Sequence, residues 1–200
     1  MAGLLALSLT GCEQPKPVSY QIPKEQPAAR TPVPVSAPTE GATDATPSMK
    51  VLPGMQEAAN QAGDIGYATP EGWVEQPASG IRKANFTISS DTGSAEVTVL
   101  TFPGEVGGRL ANINRWRGQV DLPAAIAEDL PAYTEGYEID GHRGLFIRLE
   151  GDTQSILGAL LPFHGNTWFF KMLGDSATVV NNETAMKQFL DSIKMGAHSH

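Results

Sequence analysis

From residue 49 onward the apolar positions fall into short runs with strand character, broken by Gly, Pro, Asp and Asn. "IGYATPEGWVEQ" (65–76) reads as a short strand, a Pro-Glu-Gly turn and a tryptophan. "IRKANFTIS" (81–89) and "AEVTVLTFP" (95–103) are rich in β-branched and aromatic residues and are parted by the turn "SDTGS". In the second of these, Val97, Val99 and Thr101 share one face, and Glu96, Thr98, Leu100 and Phe102 the other. Neither face is cleanly polar, which predicts a central strand covered on both sides. The period then changes: "GGRLANINRWRGQ" (107–119) is a helical candidate and "LPAAIAEDLPA" (122–132) a short helix bracketed by prolines. Next come "TEGYEIDG", "HRGLFIRLEG", "TQSILGALLPFHG" and "NTWFFKMLGD", strands separated by Gly-containing turns, with Asp140-Gly141 at a hairpin corner. Val180, Met186, Phe189, Leu190 and Ile193 form a closing stripe at helical spacing, with Asn181 or Asn182 as its N-cap. Strands, a helical insertion, a meander and a last helix predict an α+β layered sandwich over 49–200, around one core and without internal repeats.

The region before this domain is patterned differently. Residues 13–48 are rich in Pro, Ala, Ser, Thr and Gln and nearly devoid of large apolar side chains, so they cannot bury enough surface to offset chain entropy. A disordered tether is expected, reaching from several tens of Å to roughly 100 Å. Ahead of it, "MAGLLALSLTGC" is an apolar run ending in Leu9-Thr10-Gly11-Cys12. This resembles the lipobox of bacterial lipoproteins. The resemblance implies a signal peptide over 1–12, small residues in the peptidase cleft, and a diacylglyceryl group on Cys12. Two or three acyl chains then hold the protein to a membrane at about 0.8 kcal/mol per buried CH₂. Signal peptides normally open with Lys or Arg, and none precedes Cys12. A translation start upstream of Met1 is therefore expected.

Charge and composition narrow the function classes. The 200-residue chain has formal net charge -8, and its sequence pI is near 4.9. A general binder of nucleic acid needs a basic face to displace counterions, so no nucleic-acid partner is expected. No stretch reaches the roughly 18 apolar residues of a membrane-spanning helix. The single cysteine removes any intramolecular disulfide, leaving an exported domain to rely on its core.

The order of elements, "PEGW" at 70–73, and "WFFKMLGD" (168–175) followed by the helix "FLDSIKM" (189–195) together resemble the PsbP-like/DcrB-like sandwich proteins. The resemblance spans roughly Gly66 to Met195. It implies a three-layer α/β/α sandwich with a mainly antiparallel sheet, and an accessory or binding module of the cell envelope rather than an enzyme. Gly107-Gly108-x3-Asn112-x2-Arg115-Trp116-x2-Gln119 also resembles a segment of exported bacterial proteins with this architecture. No functional residue is carried over from either, because fold alone does not specify function.

Residues 107–119 hold the candidate binding surface: Gly107, Gly108, Asn112, Asn114, Arg115, Trp116, Arg117 and Gln119. On a structural reading, Leu110, Ile113 and Trp116 or Arg117 face the core. Arg115 then pairs with Glu128 or Asp129 or caps strand carbonyls, and Asn112 and Asn114 bond backbone. On a functional reading, Asn112, Asn114, Arg117 and Gln119 edge a groove, Gly107-Gly108 lets a backbone approach closely, and Arg and Trp supply the side chains that dominate interfaces. Anion binding at the helix N-terminus beside Arg109 is a variant of that reading. Catalytic constellations are sparse. His142 and His164 lack metal-ligand spacing, and His198 and His200 sit in the tail, so no metal, cofactor or catalytic residue is assigned. The expectation is a non-catalytic, lipid-anchored envelope module that binds another envelope protein. The alternatives are a receptor for a small molecule or anion and, behind it, an enzyme.

Overall fold

Runs with large apolar side chains at consecutive positions become the central strands of one sheet, in a computed structural model that describes residues 54–196. The lipobox with Cys12, segment 13–48, and His198 and His200 lie outside the described residues. In chain order the elements are α1 (Met55–Gln61), β1 (Ile65–Gly66), β2 (Trp73–Glu75), β3 (Arg82–Ser90), β4 (Gly93–Pro103), α2 (Gly108–Gln119), β5 (Thr134–Ile139), β6 (His142–Glu150), β7 (Gln154–Phe163), β8 (Asn166–Asp175), α3 (Ser176–Asn181), α4 (Glu183–Ser192) and β9 (Lys194–Met195). Strands β2 to β8 form a seven-stranded sheet in the order β2-β3-β4-β8-β7-β6-β5, antiparallel throughout, and β1 pairs with β9 separately. The hairpin corners follow local chemistry. Asp140 and Gly141 both take positive φ (48° and 76°), as a two-residue turn matched to strand twist requires.

Alternation along β8 sends Trp168, Phe170 and Met172 to one face and Phe169 to the other. Each face has its own cover. α3 and α4 bury Val179, Met186, Phe189 and Leu190 against the first face, and α2 buries Ile113 and Trp116 against the second. The result is the expected three-layer α/β/α arrangement, but with two cores rather than one. A sheet whose central strands are apolar on both faces necessarily separates two apolar layers. The first core centres on Phe189, whose ring lies 5.4 Å from both Phe86 and Trp73 and 5.7 Å from Tyr67.

Three local expectations are corrected. The closing helix is not continuous, because Asn182 (φ -94°, ψ 9°) interrupts it between α3 and α4. Asn182 stands at the N-cap position of α4 but caps nothing with its side chain. Its Oδ1 accepts from Trp73 Nε1 at 3.2 Å and its Nδ2 donates to the Thr178 carbonyl at 2.9 Å. Ile193 ends α4 in an extended conformation and leads into β9, where Asp140 accepts from the Met195 amide at 2.9 Å and from Lys194 Nζ at 3.1 Å. The segment 122–132 is helical only at Ala127–Ala132, as a 3₁₀ turn, and its first half is held extended by α2. Among the described residues, no helix is long and apolar enough to cross a membrane.

Replacing Phe189 by Ala should cost about 3–5 kcal/mol, because it empties the centre of the first core. Urea unfolding checks this through the midpoint, with the slope unchanged.

Candidate functional site

The route into α2 depends on backbone conformation. Val106, Gly107 and Gly108 take positive φ (48°, 85° and 79°), turning the chain from the end of β4 onto the sheet. A Cβ on Gly108 would meet nothing within 4 Å, and one on Gly107 would meet only Ala111 Cβ at 3.6 Å. Their φ is what requires glycine here, and no close packing within the domain does. Asn112, fully buried, fixes this turn by donating from Nδ2 to the carbonyls of Val106 (3.1 Å) and Gly108 (2.8 Å).

The other polar residues of the helix divide into two groups. Asn114 grips the outgoing loop: its Nδ2 donates to the Ala125 carbonyl (2.9 Å) while its Oδ1 accepts from the Ala125 amide (2.8 Å). Buried Arg117 holds the same loop, donating from Nε to the Pro123 carbonyl at 2.6 Å with its guanidinium 4.4 Å from the centre of the Tyr133 ring. Neither residue borders the two grooves that flank α2. Trp116 is 5% exposed and lies over the middle of β7, where a Cβ on Gly158 would come within 2.5 Å of its ring. Leu110, expected in the core, is only partly buried, and the inward positions are Asn112, Ile113, Trp116 and Arg117.

Arg115 and Gln119 form the outward group. Arg115 does not pair with Glu128 or Asp129 and caps no strand carbonyl. Its Nη1 donates to Asn112 Oδ1 at 2.5 Å, and Asp129 instead accepts from the Ile126 amide. Both residues border an open groove of about 280 Å³ between α2 and strands β4 and β8, lined also by Leu100, Phe102, Trp116, Phe169 and Lys171. Gln119 Oε1 accepts from Lys171 Nζ at 3.0 Å. On the other flank of α2 a second groove, about 170 Å³, is bordered by Arg109, Asn112, Arg143 and Glu105.

Register explains why Lys171 stands where it does. Thr98, Lys171, Gly158 and Ile147 form one cross-strand row, and the Trp116 ring covers Gly158, so the lysine emerges beside the indole. Burial pushes its pKa down from the ordinary 10.5, Glu96 nearby opposes that shift, and Arg82 adds to it. Glu96 is already engaged by Arg82 at 2.7 Å. Sequence reasoning passed over Lys171, although a lone charge inside "WFFKML" was the signal that could have found it. It also passed over Gly158, a glycine inside a strand run and hence a sign of close packing from above.

Cations are distributed unevenly. Of the ten Lys and Arg between residues 54 and 196, Arg82, Lys83, Arg148, Lys187 and Lys194 each pair with a carboxylate. The other five are Arg109, Arg115, Arg117, Arg143 and Lys171. None of them has a carboxylate within ion-pair distance among the described residues, and all lie on α2 or border its two grooves. Elsewhere the His142 ring lies 4.7 Å from Phe163, which stacks on His164 at 4.1 Å. Among the described residues, no three His, Cys, Asp or Glu come together as a metal-holding group.

No family model matches the chain, and no curated protein matches it in sequence. Solved structures with a similar chain arrangement include cyanobacterial PsbP from Synechocystis (TM-score 0.41, 11% identity, covering 66% of this chain and 93% of that one). LpqN of Mycobacterium tuberculosis, described as involved in cell envelope biogenesis, is another (TM-score 0.35, 11% identity, 65% and 83%). A protein from Bacteroides thetaiotaomicron also matches (TM-score 0.39, 9% identity, 70% of this chain), and this chain spans 48% of its length. At such identities and TM-scores no residue, activity or role is carried over from these structures.

The two groups of residues should respond differently to truncation. Asn114→Ala removes both partners of the Ala125 backbone and should cost about 1–3 kcal/mol, whereas Arg115→Gln, at an exposed position and keeping an N–H donor for Asn112 Oδ1, should stay within about 0.5 kcal/mol of the parent; urea denaturation compares the two. The folded state disfavours the Lys171 ammonium, so it binds fewer protons than the unfolded chain between the lowered pKa and 10.5, and stability from this group rises with pH across that window. Lys171→Met should therefore raise the melting temperature at neutral pH by about 2–4 °C. The gain should shrink as pH approaches the ordinary lysine value, as scanning calorimetry at several pH values would show.

Proposed function

We propose that this protein is a non-catalytic binding module of the bacterial cell envelope, held at a membrane through lipidated Cys12, that docks an acidic surface of another envelope protein on its α2 face. The observation that carries the reading is the segregation of unpaired cations. In a chain of net charge -8, the described cations away from α2 pair with its own acids, yet Arg109, Arg115, Arg143 and Lys171 beside α2 have no carboxylate within ion-pair distance among the described residues, with Glu105 and Glu96 nearby but not paired to them. Unpaired charges on one face steer association with a surface of opposite sign and disfavour partners of like sign. Ile126, 61% exposed in the loop that Asn114 holds against α2, adds an apolar contact beside them. The "LTGC" motif and the long Pro-rich segment support a tethered placement that lets the domain reach such a partner.

The test uses the full chain expressed in its own cells, with in-cell crosslinking and recovery from membranes. The parent should retain a specific envelope protein at low salt and release it as ionic strength approaches about 1 M, where the Debye length is near 3 Å. An Arg109→Glu/Arg143→Glu variant, at two exposed positions, should lose the partner while melting within about 2 °C of the parent. Retention by the charge-reversed variant sinks the docking face. Replacing Cys12 by Ser should move the protein out of the membrane fraction, and an unchanged distribution rules out the lipid anchor.

A further inference from the structure

The groove on the β4–β8 side of α2 differs in chemistry from the rest of the cationic face. Its walls are Leu100, Phe102, Trp116 and Phe169. Phe169 meets Phe102 edge-on at 5.7 Å and Trp116 at 6.3 Å, so three rings border the cavity in edge-to-face order. Lys171 rises among them from β8, and Arg115 stands on the helix side. An ammonium has three N–H donors. Among the described residues Lys171 uses one, toward the neutral amide oxygen of Gln119, and the carboxylate of Glu96 is held by Arg82. An apolar side chain here would fill the space without the desolvation cost of a charge. Among the described residues, Lys171 lines an aromatic groove with no carboxylate within ion-pair distance.

We propose that this groove binds a small aromatic carboxylate, its ring lying among Phe102, Trp116 and Phe169 and its carboxylate between the Lys171 ammonium and the Arg115 guanidinium. The volume fits that class. About 280 Å³ is near the lower end of the roughly 300–1,000 Å³ typical of small-molecule sites, room for a ring on a short chain. Charge fits it as well: a carboxylate satisfies both cations, where a neutral ring would leave a half-buried ammonium unmatched. The depressed pKa of Lys171 has the same cause, loss of solvent without a full counter-charge, and a bound carboxylate reverses it. The groups facing the ammonium are Glu96 and Arg82 from the neighbouring strands and Arg115 and Gln119 from α2. Arg117 is turned away toward Pro123 and Tyr133. The site shares Arg115 and Lys171 with the docking face, and variants separate the two: Lys171→Met leaves Arg109 and Arg143 in place and should retain the partner that Arg109→Glu/Arg143→Glu loses.

The experiment titrates phenylpropionate into the full chain and follows the Trp116 indole N–H resonance. A saturable shift is expected. Lys171→Met should bind at least about tenfold more weakly, the loss expected for one charge-assisted contact. The neutral amide of the same acid should bind parent and variant equally and at least about tenfold more weakly than the acid binds the parent. Arg115→Gln, which removes the charge but keeps an N–H donor for Asn112 Oδ1, should weaken the acid at least about threefold and tests the second cation separately. A shift that does not saturate, or equal affinity of parent and both variants, overturns the site. Tighter binding of octanoate than of phenylpropionate overturns the aromatic class in favour of an acyl chain released from lipid.

Discussion

Strands β7 and β8 carry large apolar side chains at consecutive positions, so neither face of the sheet's centre can be left to water. That constraint organises the rest of the domain. The pairing of β4 with β8 from Ala95–Gly174 to Pro103–Asn166 places the strand with two covered faces beside the most apolar pair, and the shorter, more polar β2 and β5 fall at the edges. Two layers of helix then follow, because a sheet apolar on both sides is stable only when both are covered. α3 and α4 complete the aromatic cluster around Phe189, and α2 completes the opposite face through Trp116 on Gly158.

The dense polar stretch of α2 is mostly a consequence of that second cover. A helix laid over a sheet must be entered and left by loops whose backbone groups are partly withdrawn from water, and those groups need partners. Asn112 satisfies the entry, and Asn114 and Arg117 satisfy the exit. From Asn112 to Gln119, Arg115 and Gln119 are the polar side chains left to face outward, and both border the groove that holds Lys171. The structural and functional readings of the segment therefore apply to different residues within it, separated by which side of the helix each occupies.

The electrostatic asymmetry follows a different logic. On the α4 side Arg148 and Lys187 share Glu183, and Lys187 also reaches Glu135 at 2.9 Å, so charge there is locally cancelled. On the α2 side charge is left open within an acidic chain. Exposed ion pairs contribute little to stability, so this difference has little effect on folding and a larger one on which surfaces the domain attracts.

The sequence by itself determined the local elements: β3 to β8, α2 and the Asp140-Gly141 corner all lie where periodicity and turn residues placed them. It also indicated the layered class and marked Trp116 as an anchor. α1 and the break at Asn182 were not legible, the first being a single short helix, the second depending on a tryptophan more than a hundred residues away in the chain. Only the tertiary structure decided the strand order, the two cores, the fates of Asn114 and Arg117, and the meeting of Lys171 with Trp116. The physical reason is range. Periodicity, caps and turns are energies between residues a few positions apart, so ten letters are enough to read them. Whether a cation is paired, or a glycine covered by an indole, is fixed by strands that meet across 79 positions of chain, as β4 and β8 do between Ala95 and Gly174.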